Sequence, residues 1–328
     1  MPDYEQEITI MIKVDLITGF LGAGKTTFLL HYARYLIGKG LKIGILVYDH
    51  GAVNVDLPLL QELRGDRCEL ETLAGACDAD CHRRRFRTKL ISMGMSGYDR
   101  VIIEPSGVFD VDEFFDTLQD SPLDRWYEPG SVIAVVDAKL EDETSEDADF
   151  FLASQAASAG CILLSRVQLA SSAELERTVE HLKRAAKAIH CTDTPEKRIL
   201  AENWDHLTEA DYEKLMHCGY RLADYVKTIA GRKPDFQSLS FLNPHLTRQQ
   251  MEEKIAQLFE NTEYGHINRV KGFFQTEESW YQVNATVKET RIDPVPQGHG
   301  AIIVIGSRLN EEKISILMTG KPPEHRIL

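Results

Sequence analysis

The run Gly19-Phe20-Leu21-Gly22-Ala23-Gly24-Lys25-Thr26-Thr27 follows the pattern G-x-x-x-x-G-K-S/T, and its chemistry is the holding of a polyphosphate. Glycines let the backbone wrap so that N–H groups point at phosphate oxygens, and a helix that follows offers its positive N-terminal end. Gly19, Gly22, Ala23, Gly24, Lys25, Thr26 and Thr27 are therefore candidate nucleotide-binding residues, with Lys25 reaching the terminal phosphates as a catalytic cation. The Thr26 hydroxyl suits the shell of a Mg²⁺ ion, which keeps most of its waters and needs only one or two protein oxygens beside the phosphates.

Further along, Ile102-Ile103-Glu104-Pro105-Ser106-Gly107 ends an apolar run on a carboxylate, with a glycine three residues on. In nucleoside triphosphatases a carboxylate there holds Mg²⁺ directly or through water, and the glycine N–H senses the γ-phosphate, so Glu104 is a candidate catalytic and Mg²⁺ residue and Gly107 a nucleotide contact. Between the two motifs lies the polar segment Val47 to Asp56, in which Asp49 and Asp56 are candidate Mg²⁺ or water ligands. An ordinary turn rich in Asp, Asn and Gly would look the same.

Cys77-Asp78-Ala79-Asp80-Cys81-His82 sets two thiols, two carboxylates and an imidazole within six residues. Soft thiolates with a nitrogen donor suit Zn²⁺, Co²⁺ or a related borderline ion, which makes Cys77, Cys81 and His82 candidate transition-metal ligands. Two thiols never fill a tetrahedral site, so His82, Asp80 or a remote group must help, and a structural or redox role for the pair stays open.

The elements that must position these groups alternate. Apolar, β-rich runs at Ile8–Ile17, Lys42–Val47, Arg100–Ile103, Ser131–Val136 and Cys161–Leu164 read as buried strands with amphipathic segments between several of them. That alternation predicts an α/β fold with a doubly wound, mostly parallel sheet. The first helix is expected over about residues 26–37, and a second starts at Ser171, which forms a capping box with Glu174. The run 139–149 holds six acidic residues and is expected as a solvated loop or a frayed helix start. A strand at 197–201 and a helix at 208–222 follow.

A composition break at Gly231-Arg232-Lys233-Pro234 divides the chain into a nucleotide-binding domain, 1–230, and a smaller C-terminal α+β domain, 231–328. The latter is expected as strand 238–242, helix 247–259, strands at 267–275, 280–290 and 301–306, and a last helix near 311–318, with Phe273, Phe274, Trp280 and Tyr281 in its core.

With 328 residues and 43% hydrophobic content the chain can bury a sizeable core. A formal charge of −14 disfavours a nucleic-acid partner, since phosphate neutralisation needs clustered Lys and Arg and the only basic cluster is Arg83-Arg84-Arg85. The acidic N-terminus and the lack of a long uncharged run point away from a secretory signal or a membrane and toward the cytoplasm. Six cysteines, four of them scattered (Cys68, Cys161, Cys191 and Cys218), predict reduced thiols rather than a disulfide framework.

Taken together, Thr18 to Thr27, the segment 49–56, Glu104-Pro105-Ser106-Gly107 and Val135-Val136-Asp137-Ala138 resemble the CobW-type P-loop GTPases, cousins of the urease and hydrogenase maturation GTPases. Arg269-Val270-Lys271-Gly272-Phe273 followed by Trp280 is similar to that family's C-terminal domain. The resemblance implies a GTP-type hydrolase with Mg²⁺, acting as a switch in metal trafficking or metallocofactor assembly on a metalloprotein or corrinoid-related client. The sequence departs from the family in three places. It has Cys77-Asp78-Ala79-Asp80-Cys81 where the family has C-x-C-C, and Ala52 where a second acidic residue of the first switch is usual. It also has Ser165-Arg166-Val167-Gln168 where N-K-x-D reads guanine, so Ser165 and Gln168 are candidate base contacts and the choice between GTP and ATP stays open.

No residue in the sequence reads as a catalytic Gln or an arginine finger, which predicts low intrinsic turnover unless a partner, or a second copy in a homodimer, supplies the group. The alternative readings are a weakly or non-hydrolysing nucleotide-binding module with relaxed base specificity, and a P-loop kinase with Arg83–Arg85 in a lid.

Overall fold

β1 (Ile12–Thr18) is the middle strand of a seven-stranded sheet in the computed structural model, which describes residues 11–49, 57–74, 79–140, 144–226, 236–298 and 300–323. After it the chain runs through α1 (Lys25–Gly38), β2 (Ile43–Asp49), α2 (Leu57–Leu60), β3 (Cys68–Ala74), α3 (Ala79–Gly94), β4 (Arg100–Pro105), α4 (Val111–Gln119), β5 (Tyr127–Asp137), α5 (Glu146–Ser158), β6 (Cys161–Ser165), α6 (Ser172–Ala188), β7 (Ile199–Leu200) and α7 (Glu209–Met216). The strand order is β3-β2-β4-β1-β5-β6-β7, and every pairing is parallel. Parallel strands need covered faces, and both are covered. Phe28, Leu29, Tyr32 and Leu36 of α1 pack on one face with Ile17, Ile45 and Val135, while Phe86, Phe114 and Leu152 pack on the other with Leu16, Leu46 and Ile103.

A polar tie crosses this apolar layer. Asp15, fully buried on β1, accepts from both the Arg100 guanidinium (2.6 and 2.7 Å) and the Tyr32 hydroxyl (2.8 Å), and also from the Ser131 N–H (2.7 Å). It therefore joins β1, β4, β5 and α1.

The remaining elements are β8 (Gln237–Leu242), α8 (Arg248–Glu260), β9 (His266–Gln275), β10 (Trp280–Ala285), β11 (Thr290–Val295), β12 (Ala301–Ser307) and α9 (Glu311–Thr319). These strands form a second, antiparallel sheet in the order β11-β10-β9-β12-β8. One of its faces is covered by Met251, Ile255 and Leu258 of α8 and Ile314 and Met318 of α9. On the other, Phe273, Ile303 and Ile305 meet Leu21 of the glycine-rich loop.

Several expectations are corrected. The run 280–290 is not one strand but the hairpin β10–β11, closed where the Thr286 N–H donates to the Glu289 carbonyl. The helix expected over 208–222 stops at Met216. Of the acidic run, residues 141–143 lie outside the described residues, but Glu146, Asp147 and Asp149 form the first turn of α5, capped by Ser145, where their charge complements the helix dipole. Asp147 is buried there rather than solvated. Phe273 and Phe274 are in the core as expected, whereas Trp280 and Tyr281 are half-buried and only pack against its edge. The proposed domain boundary at 230 falls outside the described residues.

Candidate functional site

Three glycines of the loop between β1 and α1 have the positive φ that disfavours other residues: Gly19 (144°), Gly22 (80°) and Gly24 (98°). At Gly19 there is also no room, because a Cβ would come within 2.2 Å of the Val135 carbonyl oxygen. The loop therefore curls against the end of β5 and delivers its N–H groups to the start of α1. Lys25, the first residue of α1, is buried and donates from Nζ to the Gly19 carbonyl at 2.9 Å, so the ammonium spans the loop. Thr26 donates its hydroxyl to Glu104 Oε1 at 2.6 Å. Glu104 itself is buried on β4, one residue before that strand ends. A hydroxyl and a carboxylate converging beside the loop form a hard-oxygen pair, which fits Mg²⁺ and its preference for few protein oxygens.

Gly107 packs so closely on Leu21 that a Cβ would lie 2.6 Å from the Leu21 amide nitrogen. Its carbonyl accepts from the Gln155 side-chain amide (3.0 Å), a buried group on α5 that also reaches the Phe109 carbonyl (3.4 Å). Gln155 thus fixes the turn that carries a candidate γ-phosphate sensor. Sequence reasoning missed it, because a lone Gln in a helix gives no local signal.

Loop, strand ends and second sheet enclose a cavity of 320 Å³. Gly22, Gly24, Lys25, Thr26, Thr27, Glu104, Gly107, Ser165 and Gln168 line it, whereas Gly19 and Ala23 lie behind as scaffold. Beside the loop Arg166, in a left-handed conformation (φ 56°), pairs with Asp137 and reaches the Gly22 carbonyl at 3.4 Å. Trp204 donates its indole N–H to the Leu164 carbonyl at 3.0 Å and packs edge-on to Phe28. The buried Ser165 hydroxyl has no hydrogen-bond partner among the described residues. Asn203, Trp204 and Asp205 also line the cavity and were not anticipated.

The charge distribution runs against the chain's net −14. The cavity wall carries the cations Lys25, Arg166, Arg269, Lys271 and Arg291 against the carboxylates Glu104 and Asp205. Cations concentrated on a concave wall in an acidic protein focus the field for a polyanion. Arg83–Arg85 do not line the cavity; they lie on exposed positions of α3, so the kinase reading loses its lid.

The remaining metal candidates are not assembled by the described residues. Of the Mg²⁺ candidates, Asp56 lies outside them and Asp49 ends β2; of the transition-metal candidates, Cys77 lies outside them, His82 belongs to α3, and Cys81 is half-buried near the start of α3. Among the described residues no group of three or more His, Cys, Asp or Glu could hold a metal ion. The cysteines that are fully described make no disulfide. Burial pushes the Cys68 thiol up to about 11 and the Cys161 thiol up to about 12, which keeps both protonated at neutral pH. No helix among the described residues is long and apolar enough to cross a membrane.

Residues 13–192 match the family model for the CobW/HypB/UreG nucleotide-binding domain. The chain is 34% identical over 172 residues to the zinc chaperone YjiA of Escherichia coli, covering 50% of this chain and 52% of that one. Identity to the E. coli zinc chaperone YeiR is 29% over 131 residues, covering 40% and 39%. Zinc-regulated GTPase metalloprotein activator 1 of Schizosaccharomyces pombe is 23% identical over 354 residues, covering 94% and 85%. The chain thus spans about half or less of the two bacterial relatives.

Proposed function

Because the chain belongs to the CobW/HypB/UreG nucleotide-binding family, we propose that it is a Mg²⁺-dependent GTP-type hydrolase that works as a switch in metal trafficking, handing a transition metal such as Zn²⁺ to a metalloprotein client. The observation that carries this reading is the cavity itself: Lys25 held across the loop on the Gly19 carbonyl, Thr26 on Glu104, and a cationic wall around them.

The residues divide the work. Loop amides and Lys25 bind the β- and γ-phosphates and stabilise the charge that spreads over the transferred group as water attacks in line. Thr26 and Glu104 would hold Mg²⁺, which supplies further neutralisation of the phosphate oxygens when bound. The Gly107 turn, braced by Gln155, is positioned to feel the γ-phosphate leave. Cys81, with Cys77 and His82, remains the proposed cargo site, and its coupling to the nucleotide must be reciprocal. The test is phosphate release from GTP and ATP with Mg²⁺, with and without Zn²⁺. Turnover that responds to Zn²⁺ supports the switch, while tight nucleotide binding with no turnover under any condition favours the non-hydrolysing module.

The base is the less determined part. Gln168, exposed on the rim, replaces a carboxylate that would accept two hydrogen bonds from guanine, and an amide can only accept through one of its two ends. Gln168→Asp should therefore raise the preference for GTP over ATP by about tenfold or more, read from competition between the two nucleotides. An unchanged ratio would place base selection elsewhere, with Asn203 and Asp205 the next residues to test.

A further inference from the structure

The second sheet does more than pack against the nucleotide-binding half. Along β9, Val270 and Phe274 point into the core beneath α8 and α9, so the intervening Phe273 faces the opposite way, onto Leu21, with Ile303 and Ile305 of β12. Arg269 and Lys271 share the alternation of Phe273 and line the cavity, as do Gln282 and Asn284 of β10. The hairpin beyond closes on the loop, since a Cβ at Gly22 would sit 3.3 Å from the Thr286 methyl group. Leu21, the residue this sheet face grips, is the one against which Gly107 is packed. The sheet therefore meets the loop at Leu21 and Gly22, beside the Gly107 turn assigned above to sensing the γ-phosphate.

We propose that Lys271, with Arg269 beside it on β9, is a nucleotide-contacting residue that binds the terminal phosphate from across the cavity, so that the C-terminal sheet supplies in cis the cation missing from the nucleotide-binding half. This rests on the nucleotide reading given above. Lys271 is only 6% exposed, its ammonium therefore held at the wall and not swinging in solvent, and a compact point charge suits a phosphate oxygen. Arg269 is steadied by two hydrogen bonds to Asn284 Oδ1, at 3.2 and 3.3 Å. Arg291, also on the wall, is turned to Glu289 at 2.5 Å and is the weaker candidate. A cation placed where charge develops on the transferred phosphoryl group accelerates the reaction, and one that meets only the third phosphate separates triphosphate from diphosphate.

The experiment measures kcat, and binding of a non-hydrolysable GTP analogue and of GDP, for the full chain and for Lys271→Met and Lys271→Arg. The expected result for Lys271→Met is a loss of about 10- to 100-fold in kcat and a shrunken analogue-over-GDP preference with GDP affinity retained, and Lys271→Arg recovers most of both. If Lys271→Met hydrolyses and discriminates as the parent does, the inference falls while the nucleotide reading stands; if the parent binds no nucleotide, both fall. Should Lys271→Met not fold, Arg269→Gln decides by the same readouts, a narrowed preference supporting the inference and an unchanged one overturning it.

Discussion

Lys25→Ala should lower triphosphate turnover by about a thousandfold while leaving the thermal stability of the protein close to that of the parent. The ammonium has two tasks that Ala cannot share. In the structure it closes the loop on the Gly19 carbonyl at 2.9 Å, and with nucleotide present it would carry positive charge to the β- and γ-phosphates. The loop's curvature, by contrast, comes from the three positive-φ glycines, which the substitution does not touch. Loss of turnover with a preserved unfolding transition separates the chemical role from a structural one. A variant that hydrolyses like the parent would mean that the cavity's charge serves something other than a triphosphate.

Asp15→Ala has the opposite signature. Asp15 is fully buried and takes four hydrogen bonds from three groups on three elements, so its removal leaves the nearly buried Arg100 guanidinium facing a hole. Breaking one side of such a pair typically costs about 3–5 kcal/mol, a large share of the stability of an ordinary domain. Denaturant unfolding should show that loss, and Asp15→Leu combined with Arg100→Met should restore much of it, because the double change removes the uncompensated charge. A single variant within about 1 kcal/mol of the parent would show that water or a neighbouring group readily takes over from the carboxylate.

The parts of the fold visible in the sequence were those with a strong local signal. The central strand, the loop and α1 announced themselves through an apolar run, glycines and Lys-Thr-Thr, and the capping box of Ser171 and Glu174 marked the start of α6. β3 was missed because Glu69 and Glu71 interrupt Cys68, Leu70 and Leu73; on this edge strand Cys68 and Leu70 pack on one face and Leu73 on the other while Glu69 stays exposed, so the run never becomes continuously apolar. The hairpin β10–β11 was merged into one strand since Thr286-Val287-Lys288-Glu289 contains neither Gly nor Pro to mark the turn.

At the site, the phosphate loop, Glu104 and Gly107 were legible because their spacing is set by one strand-turn-helix unit and the neighbouring strand end. Gln155, Trp204, Arg269 and Lys271 were not, for Gln155 acts from α5 on the Gly107 turn and the others reach the cavity from the segment after β7 and from the second sheet. The sequence contained the string Arg269-Val270-Lys271-Gly272-Phe273, but only the pairing of β9 with β10 and β12, and the seating of Phe273 on Leu21, brings its cations to the loop.

Calorimetric titration of the purified chain with GTP in the presence of Mg²⁺ tests the central claim most directly. Saturable heat corresponding to one nucleotide per chain, abolished by Lys25→Ala, is the result expected of this cavity. No heat from GTP or from ATP would contradict it.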